Sequence, residues 1–254
     1  MPTLIEIPDI GQTAALAQSC GLDFVELNMN LPYFQTDTWN LSELEKVARK
    51  HGVYYTVHLD EKLDPCDFNG YIREGYIRTV TDAIRDSKRL NVHVLNMHLS
   101  RGVYFTLPDK KVFLYAENAD KYAENMRLFK AVCDDAIGDS DIKICIENTN
   151  GYTDFQLTAL DILLESKNFA LTFDIGHNHA IGGGDEDVIL RRKDRLKHFH
   201  FHDAAGKKDH LALGGGDINV KKYLALAEEC KARVVLETKT KDGLLRSVDY
   251  LSRL

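Results

Sequence analysis

Short runs rich in Val, Ile, Phe and Tyr alternate with helix-like segments along the whole chain, and this alternation limits the fold more than any other feature. The strand-like runs lie near 4–7, 23–28, 53–58, 92–98, 142–147, 169–174, 196–202 and 233–237. Helical patterns fill the intervals, among them LSELEKVARKHG (41–52), YIRTVTDAIRDSKRL (76–90), AENADKYAENMRLFKAVCDDAIG (116–138) and VKKYLALAEEC (220–230). Gly21, Gly52 and Gly138 stand where a helix would stop. Eight strand–helix units in 254 residues, with no long linker, predict one α/β domain over residues 1–254, a parallel (β/α)8 barrel. A doubly wound open sheet is the competing architecture, but no Gly-rich dinucleotide turn follows the first strand.

Alternation inside the strands assigns their faces, because successive side chains of a strand point to opposite sides. In 142–147, Ile142, Ile144 and Ile146 oppose Lys143, Cys145 and Glu147; in 169–174, Phe169, Leu171 and Phe173 oppose Ala170, Thr172 and Asp174. In 196–202, Phe199 and Phe201 oppose His198, His200 and His202. The greasy face should meet the outer helices and the small or polar face should line the barrel. On that phase six strands end in a residue able to hold a metal: His58, His98, Glu147, Asp174, His200 and Glu237. The C-terminal ends of barrel strands converge on one mouth, where such folds build their sites.

Glu147, Asp174, His200 and Glu237 come from four consecutive strands and can surround one ion. Three carboxylates and an imidazole suit Mn, Mg, Co or Zn, and the absence of thiolates disfavours a structural zinc knot. An ion there would polarise a carbonyl, acidify the neighbouring C–H and stabilise an enediolate, with Glu147 and Glu237 as base and acid in an isomerisation or epimerisation. His58 and His98 extend the site as ligands of a second ion or as hydrogen-bonding partners of substrate hydroxyls. His177 (FDIGHNH) and His210 (KKDHLALGGG) are loop residues within reach of the mouth, and Lys207 and Lys208 could draw in a phosphate or carboxylate.

Other features have plainer readings. His198 reads as a satisfied core histidine and His51 and His93 as surface or helix-facing groups, whereas His202 reads either way and His179 stays open. Tyr115 and Tyr122 read as packing residues. The segments 59–70, 99–115 and 203–219 would be mouth loops, and the runs GGGDED (182–187) and GGGDIN (214–219) lack the Lys-Ser/Thr of a nucleotide P-loop. A net charge of -7 argues against a sequence-independent nucleic-acid binder. Five scattered cysteines without a C-x-x-C pair, no basic-then-apolar leader and no apolar run of membrane-spanning length lead us to expect a cytoplasmic protein.

Four fragments carry a resemblance: ICIENTNG (144–151), LTFDIGHNHA (171–180), HFHFHDAAGKKDHLALGGGDIN (198–219) and VVLETK (234–239). In this order the chain resembles the xylose isomerase-like TIM-barrel superfamily, which takes in sugar and sugar-phosphate isomerases and epimerases and is related to endonuclease IV-type AP endonucleases. The resemblance implies a single TIM barrel and a small-molecule sugar substrate. It implies a divalent metal on Glu147, Asp174, His200 and Glu237, with Glu147 and Glu237 doubling as the acid–base pair. It makes His177 a substrate contact or a ligand of a further zinc, and matches His58, His98 and His210 to additional zinc ligands of the nucleases. Those nucleases carry an Asp two residues before the last histidine, where this chain has Lys208 beside Asp209. A metal-dependent isomerase or epimerase is the first expectation; a zinc phosphodiesterase and an inositol-derivative dehydratase are the alternatives.

Overall fold

The computed structural model describes residues 1–254. In chain order it comprises α1 (Ile10–Ser19), β1 (Phe24–Asn28), α2 (Leu41–His51), β2 (Tyr54–His58), α3 (Gly70–Leu90) and β3 (Val94–His98). Next come β4 (Tyr104–Thr106), β5 (Lys111–Phe113), α4 (Leu114–Glu117), α5 (Ala119–Ile137), β6 (Lys143–Glu147) and α6 (Asp154–Leu164). The C-terminal half holds β7 (Phe169–Asp174), α7 (Ile175–Ala180), α8 (Glu186–Leu190), β8 (Leu196–Phe201), β9 (Asp203–Ala205), β10 (Lys208–Leu211), α9 (Val220–Cys230), β11 (Arg233–Leu236) and α10 (Lys241–Leu251).

Seven strands form one parallel sheet in the order β1-β2-β3-β6-β7-β8-β11, curled into a nearly closed TIM barrel. The eighth strand expected at 4–7 is not there. Residues 4–7 make a turn, closed by Ile7 N–H to Leu4 O at 3.0 Å, and leave Ile5 75% exposed. The stave beside β1 is instead residues 1–3: Glu26 N–H donates to Met1 O and Thr3 N–H to Glu26 O, both at 2.8 Å, bracketing a Pro2–Glu26 bridge. The expected helix 116–138 breaks at Asn118 into α4 and α5, and the one expected at 76–90 begins earlier, at Gly70.

The face assignment holds. Ile144, Ile146, Leu171, Phe173, Phe199 and Phe201 join the continuous core between sheet and helices, whereas Val94, Cys145 and Ala170 form a small apolar patch on the inner face. Helices supply the other side of that core through one stripe each. In α2, for example, Asn40 Oδ1 accepts the Glu43 N–H at 3.2 Å, Leu44 and Val47 are buried, and Gly52 ends the helix at φ 66°. No helix is long and apolar enough to cross a membrane, and all five cysteines are free.

One irregularity places the histidines. Leu171 pairs with Leu196, but the next residue, Thr172, pairs with His198, so Lys197 is an extra residue in β8. Leu196 thereby faces the outer core with Leu171, while His198 and His200 face inward with Thr172 and Asp174. A one-residue slip exchanges the two faces of a strand. Deletion of Lys197 restores plain alternation and should leave His198 and His200 inward and the cooperative thermal transition seen by circular dichroism in place, whereas deletion of Phe199 should turn His200 outward and Phe201 into the barrel and abolish that transition. A Phe199 deletion that melts as the parent does would refute this. Phe199→Ala, which keeps the register, should cost about 3–5 kcal/mol in denaturant unfolding.

Candidate functional site

The six expected rim residues do converge. Glu147, Asp174, His200 and Glu237 are all buried, and one donor atom from each lies within 4.8 Å of the others. Around His200 Nδ1 stand Glu237 Oε2 at 2.9 Å, Glu147 Oε1 at 3.3 Å and Asp174 Oδ2 at 3.8 Å. His98 Nε2 reaches Glu147 Oε2 at 3.0 Å, and His58 Nε2 lies 3.6 Å from the same oxygen. His177 Nδ1 sits 3.4 Å from both Glu147 Oε1 and Asp174 Oδ2, and His210 Nε2 sits 3.6 Å from Glu237 Oε1.

Each carboxylate is aimed by neighbours. Asp174 caps α7, accepting the His177 N–H on Oδ1 at 2.6 Å, while its own backbone N–H and C=O exchange hydrogen bonds with the Asn148 amide at 2.8 and 3.0 Å. Asn96 donates to Glu147 Oε2 and accepts from Thr172 Oγ1 at 2.5 Å. Lys239 Nζ donates to Glu237 Oε1 at 2.8 Å. Below the rim, Glu26 Oε2 accepts from Thr56 Oγ1 and His198 Nε2, each at 2.9 Å, and Glu26 Oε1 lies 2.9 Å from His200 Nε2. His198 is thus a core histidine, as its position suggested, but only its Nε2 finds a partner; Nδ1 is buried without one.

Three atoms that face the centre of the four-residue set, Glu147 Oε1, Glu237 Oε2 and His200 Nδ1, are buried without a hydrogen-bond partner. Buried polar atoms normally find one. Anionic oxygens and an imidazole nitrogen converging on one point are a donor set that a divalent cation can take. These residues fit such an ion.

Charge tells the same story. Burial works to raise the Glu147 carboxyl, yet the imidazoles of His200 and His98 hold it well below the usual carboxylate range. Glu237 is likewise held down against burial, by His200 first. Burial works to lower the histidines, but the crowded carboxylates win: Glu147 lifts His58 to about 9, and Asp174 with Glu147 lifts His177 to about 10. His198 goes the other way, burial outweighing Glu26, so it is a neutral donor.

Not every expectation survives. His177, His202 and His210 also cluster, but His202 spends Nε2 on Asp174 Oδ2 at 3.0 Å and Nδ1 on the His210 N–H at 2.8 Å, so the three imidazoles cannot share an ion. Lys207 and Lys208 do not line the mouth: Lys208 is exposed on β10 and Lys207 borders a separate cavity of about 850 Å³ beside His179. The mouth itself is a cavity of about 640 Å³, whose cations are Arg101 and Lys239. Tyr115 and Tyr122 pack together in the core, ring centres 4.5 Å apart, and His51 and His93 lie at the surface on Gln18 and Asp141. Sequence reasoning missed Glu26, Asn96 and Lys239. Glu26 and Asn96 share the inward phase of their strands but sit short of the strand ends, and Lys239 follows Glu237 by one inward step.

The family model for the xylose isomerase-like TIM barrel matches residues 14–254. An uncharacterized protein of Methanocaldococcus jannaschii is 26% identical over 200 residues, which is 75% of this chain and 65% of that relative's length. A crystal structure of a D-tagatose 3-epimerase-like protein superposes with a TM-score of 0.75 at 23% identity, covering 91% of this chain and 88% of the other. The IOLI protein, crystallised with a bound zinc atom, superposes with a TM-score of 0.69 at 13% identity, covering 99% and 90%. At these identities the two structures are likenesses of fold. The family match over nearly the whole chain is what classifies it: the chain belongs to the xylose isomerase-like TIM-barrel family.

Proposed function

We propose that the chain is a metal-dependent isomerase or epimerase of a small sugar or hydroxy-keto compound. The observation that carries this reading is the quartet Glu147, Asp174, His200 and Glu237, with its partnerless inward atoms, next to an open polar cavity that Glu237 lines. The fold neighbours, a D-tagatose 3-epimerase-like protein and the zinc-bound IOLI protein, agree with it.

A divalent cation held by the quartet would supply Lewis acidity toward a carbonyl and so acidify the adjacent C–H. The chain's own groups do the rest. Glu147 and Glu237 face the centre from β6 and from the end of β11, and both are held ionised at neutral pH, ready to accept a proton. One takes the proton from carbon and, now a carboxylic acid, returns it to the neighbouring carbon in an isomerisation, while a hydroxyl proton passes between the two substrate oxygens. In an epimerisation the opposite face is protonated by the other carboxyl, which must first take a proton from water or a substrate hydroxyl. Lys239 and Asn96 keep the carboxylates aimed. His58, His98, His177 and His210 ring the mouth as partners for hydroxyls.

The mouth favours an uncharged substrate over a phosphate ester. Lys239 is engaged by Glu237 and the Arg101 guanidinium by the carbonyls of Asn150 and Gly151, while Glu61 and Asp209 add negative charge to the lining. Of thirteen lining residues only one, Leu99, is hydrophobic, which suits a polyhydroxylated molecule. A dehydratase of an inositol derivative shares the proton-abstraction step and would differ in expelling hydroxide.

A second reading, an AP endonuclease-like zinc hydrolase, rests on His58 and His98 standing beside Glu147. Against it, Lys208 replaces the expected Asp, and the mouth lacks a basic crescent. Elemental analysis separates the two: one ion per chain, lost in Glu237→Gln, supports the isomerase, and three zinc ions support the nuclease.

Two further outcomes follow. Glu147→Gln and Glu237→Gln should each cut turnover by at least about 10²–10⁴-fold on any ketose the metal-loaded protein converts; unchanged rates in both variants would sink the mechanism. Cation uptake should also release protons. The bare carboxylates hold His58 and His177 protonated up to about 9 and about 10, and a cation takes over that role, so apparent affinity should fall as pH falls through the neutral range. Calorimetry in buffers of different ionisation enthalpy reads the release directly; a heat independent of buffer contradicts it.

A further inference from the structure

His202 has both ring nitrogens engaged by groups on other elements. Its Nδ1 lies 2.8 Å from the backbone nitrogen of His210, and its Nε2 lies 3.0 Å from Asp174 Oδ2. A backbone N–H can only donate, so Nδ1 is the accepting nitrogen, and the ring proton sits on Nε2 and is given to Asp174. One neutral ring therefore holds two different structures at once.

The first is the Asp174 carboxylate. With Oδ1 taken by the His177 N–H and Oδ2 by His202, its plane is fixed from both sides, and the remaining lone pair of Oδ2 is turned toward the quartet. The second is the β9–β10 hairpin. His210 adopts φ 53°, left-handed backbone that a residue with a side chain seldom takes. The His202 acceptor and a face-to-face stack of the two rings, centres 4.1 Å apart and 4° from parallel, hold it there. The ring has room because residue 176 is glycine: a Cβ at Gly176 would overlap its Cε1 and Nδ1.

We infer that His202 is a positioning residue that ties the Asp174 carboxylate to the β9–β10 hairpin, making the geometry of the cation set and the placement of His210 over the mouth a single linked variable. The Asp174 half deepens the metal-dependent reading above and rests on it; the hairpin half does not.

Two conservative substitutions in the full chain separate the halves. In His202→Asn the side-chain oxygen can stand in for Nδ1 and keep the His210 N–H, but nothing donates to Asp174. In His202→Gln the amide nitrogen can stand in for Nε2 and keep Asp174, but nothing accepts from His210. The readouts are Mn²⁺ affinity by calorimetry and the rate of trypsin cleavage after Lys207 in the hairpin turn and Lys208 at the start of β10. His202→Asn should weaken Mn²⁺ binding by about 10–100-fold, the range for loss of an outer partner of a ligand, with cleavage as in the parent. His202→Gln should keep the parent's Mn²⁺ affinity and be cleaved about 10-fold faster, because the hairpin opens locally. Gly176→Ala leaves His202 in the sequence but displaces its ring, and should show both defects; it decides the question if His202→Asn does not fold.

A parent protein that binds Mn²⁺ and an Asn variant that binds it equally well would overturn the Asp174 half while leaving the metal reading standing. A parent that binds no divalent ion overturns the metal reading and the Asp174 half together. A Gln variant cleaved no faster than the parent overturns the hairpin half.

Discussion

Three carboxylates buried around one imidazole are the constraint to which the rest of the barrel answers. Isolated charges of this kind are costly to take out of water, and they persist only where partners compensate. The interior of the barrel is organised to do that. Glu26 stands under His200, neutral His198 and Thr56 stand on Glu26, Asn96 and Thr172 brace Glu147, and Asn148 and His177 brace Asp174. What these partners leave unmatched is a set of inward-facing atoms, Glu147 Oε1, Glu237 Oε2 and His200 Nδ1, and the proposed cation site rests on them.

The outer layer makes such an interior affordable in mechanical terms. The phenylalanines of β7 and β8 point away from the axis into a continuous apolar core with the helices, so the strands that carry the charged groups are clamped from behind. Rigid strands deliver the carboxylates, and the short helix α7, the β9–β10 hairpin and the loop after β3 deliver His177, His210 and Arg101 around the opening. Groups that would do the chemistry and groups that would choose the substrate therefore belong to different parts of the chain, with His202 as a joint between them.

Much of this was legible before any coordinates. Period-two alternation in 142–147, 169–174 and 196–202 identified the inward face, and the strand-end rule then picked out Glu147, Asp174, His200 and Glu237. The failures have physical causes. The apolar run at 4–7 looked like a strand, yet hydrophobicity does not record which backbone groups find partners, and the free edge of β1 is met by residues 1–3. β4, β5, β9 and β10 have three or four residues each, too few to show a period. Glu26 and Asn96 were passed over because attention to strand ends ignores the layer beneath. Nothing in LKHFHF marks Lys197 as supernumerary, since only the partner strand reveals the register.

That supernumerary residue bears on how the chain can diverge. Loops around the mouth can gain or lose residues with little consequence for the strands beneath them, but the run from His198 to Phe201 tolerates one phase only. Loss of Lys197 would return β8 to plain alternation with its histidines still inward, whereas loss of a residue between His198 and His200 would turn His200 out of the barrel, and a compensating insertion would have to arise in the same strand. Alignments that slide the gap from Lys197 past His198 equate residues on opposite faces of the wall, and descent through this segment should be traced by phase before it is traced by identity.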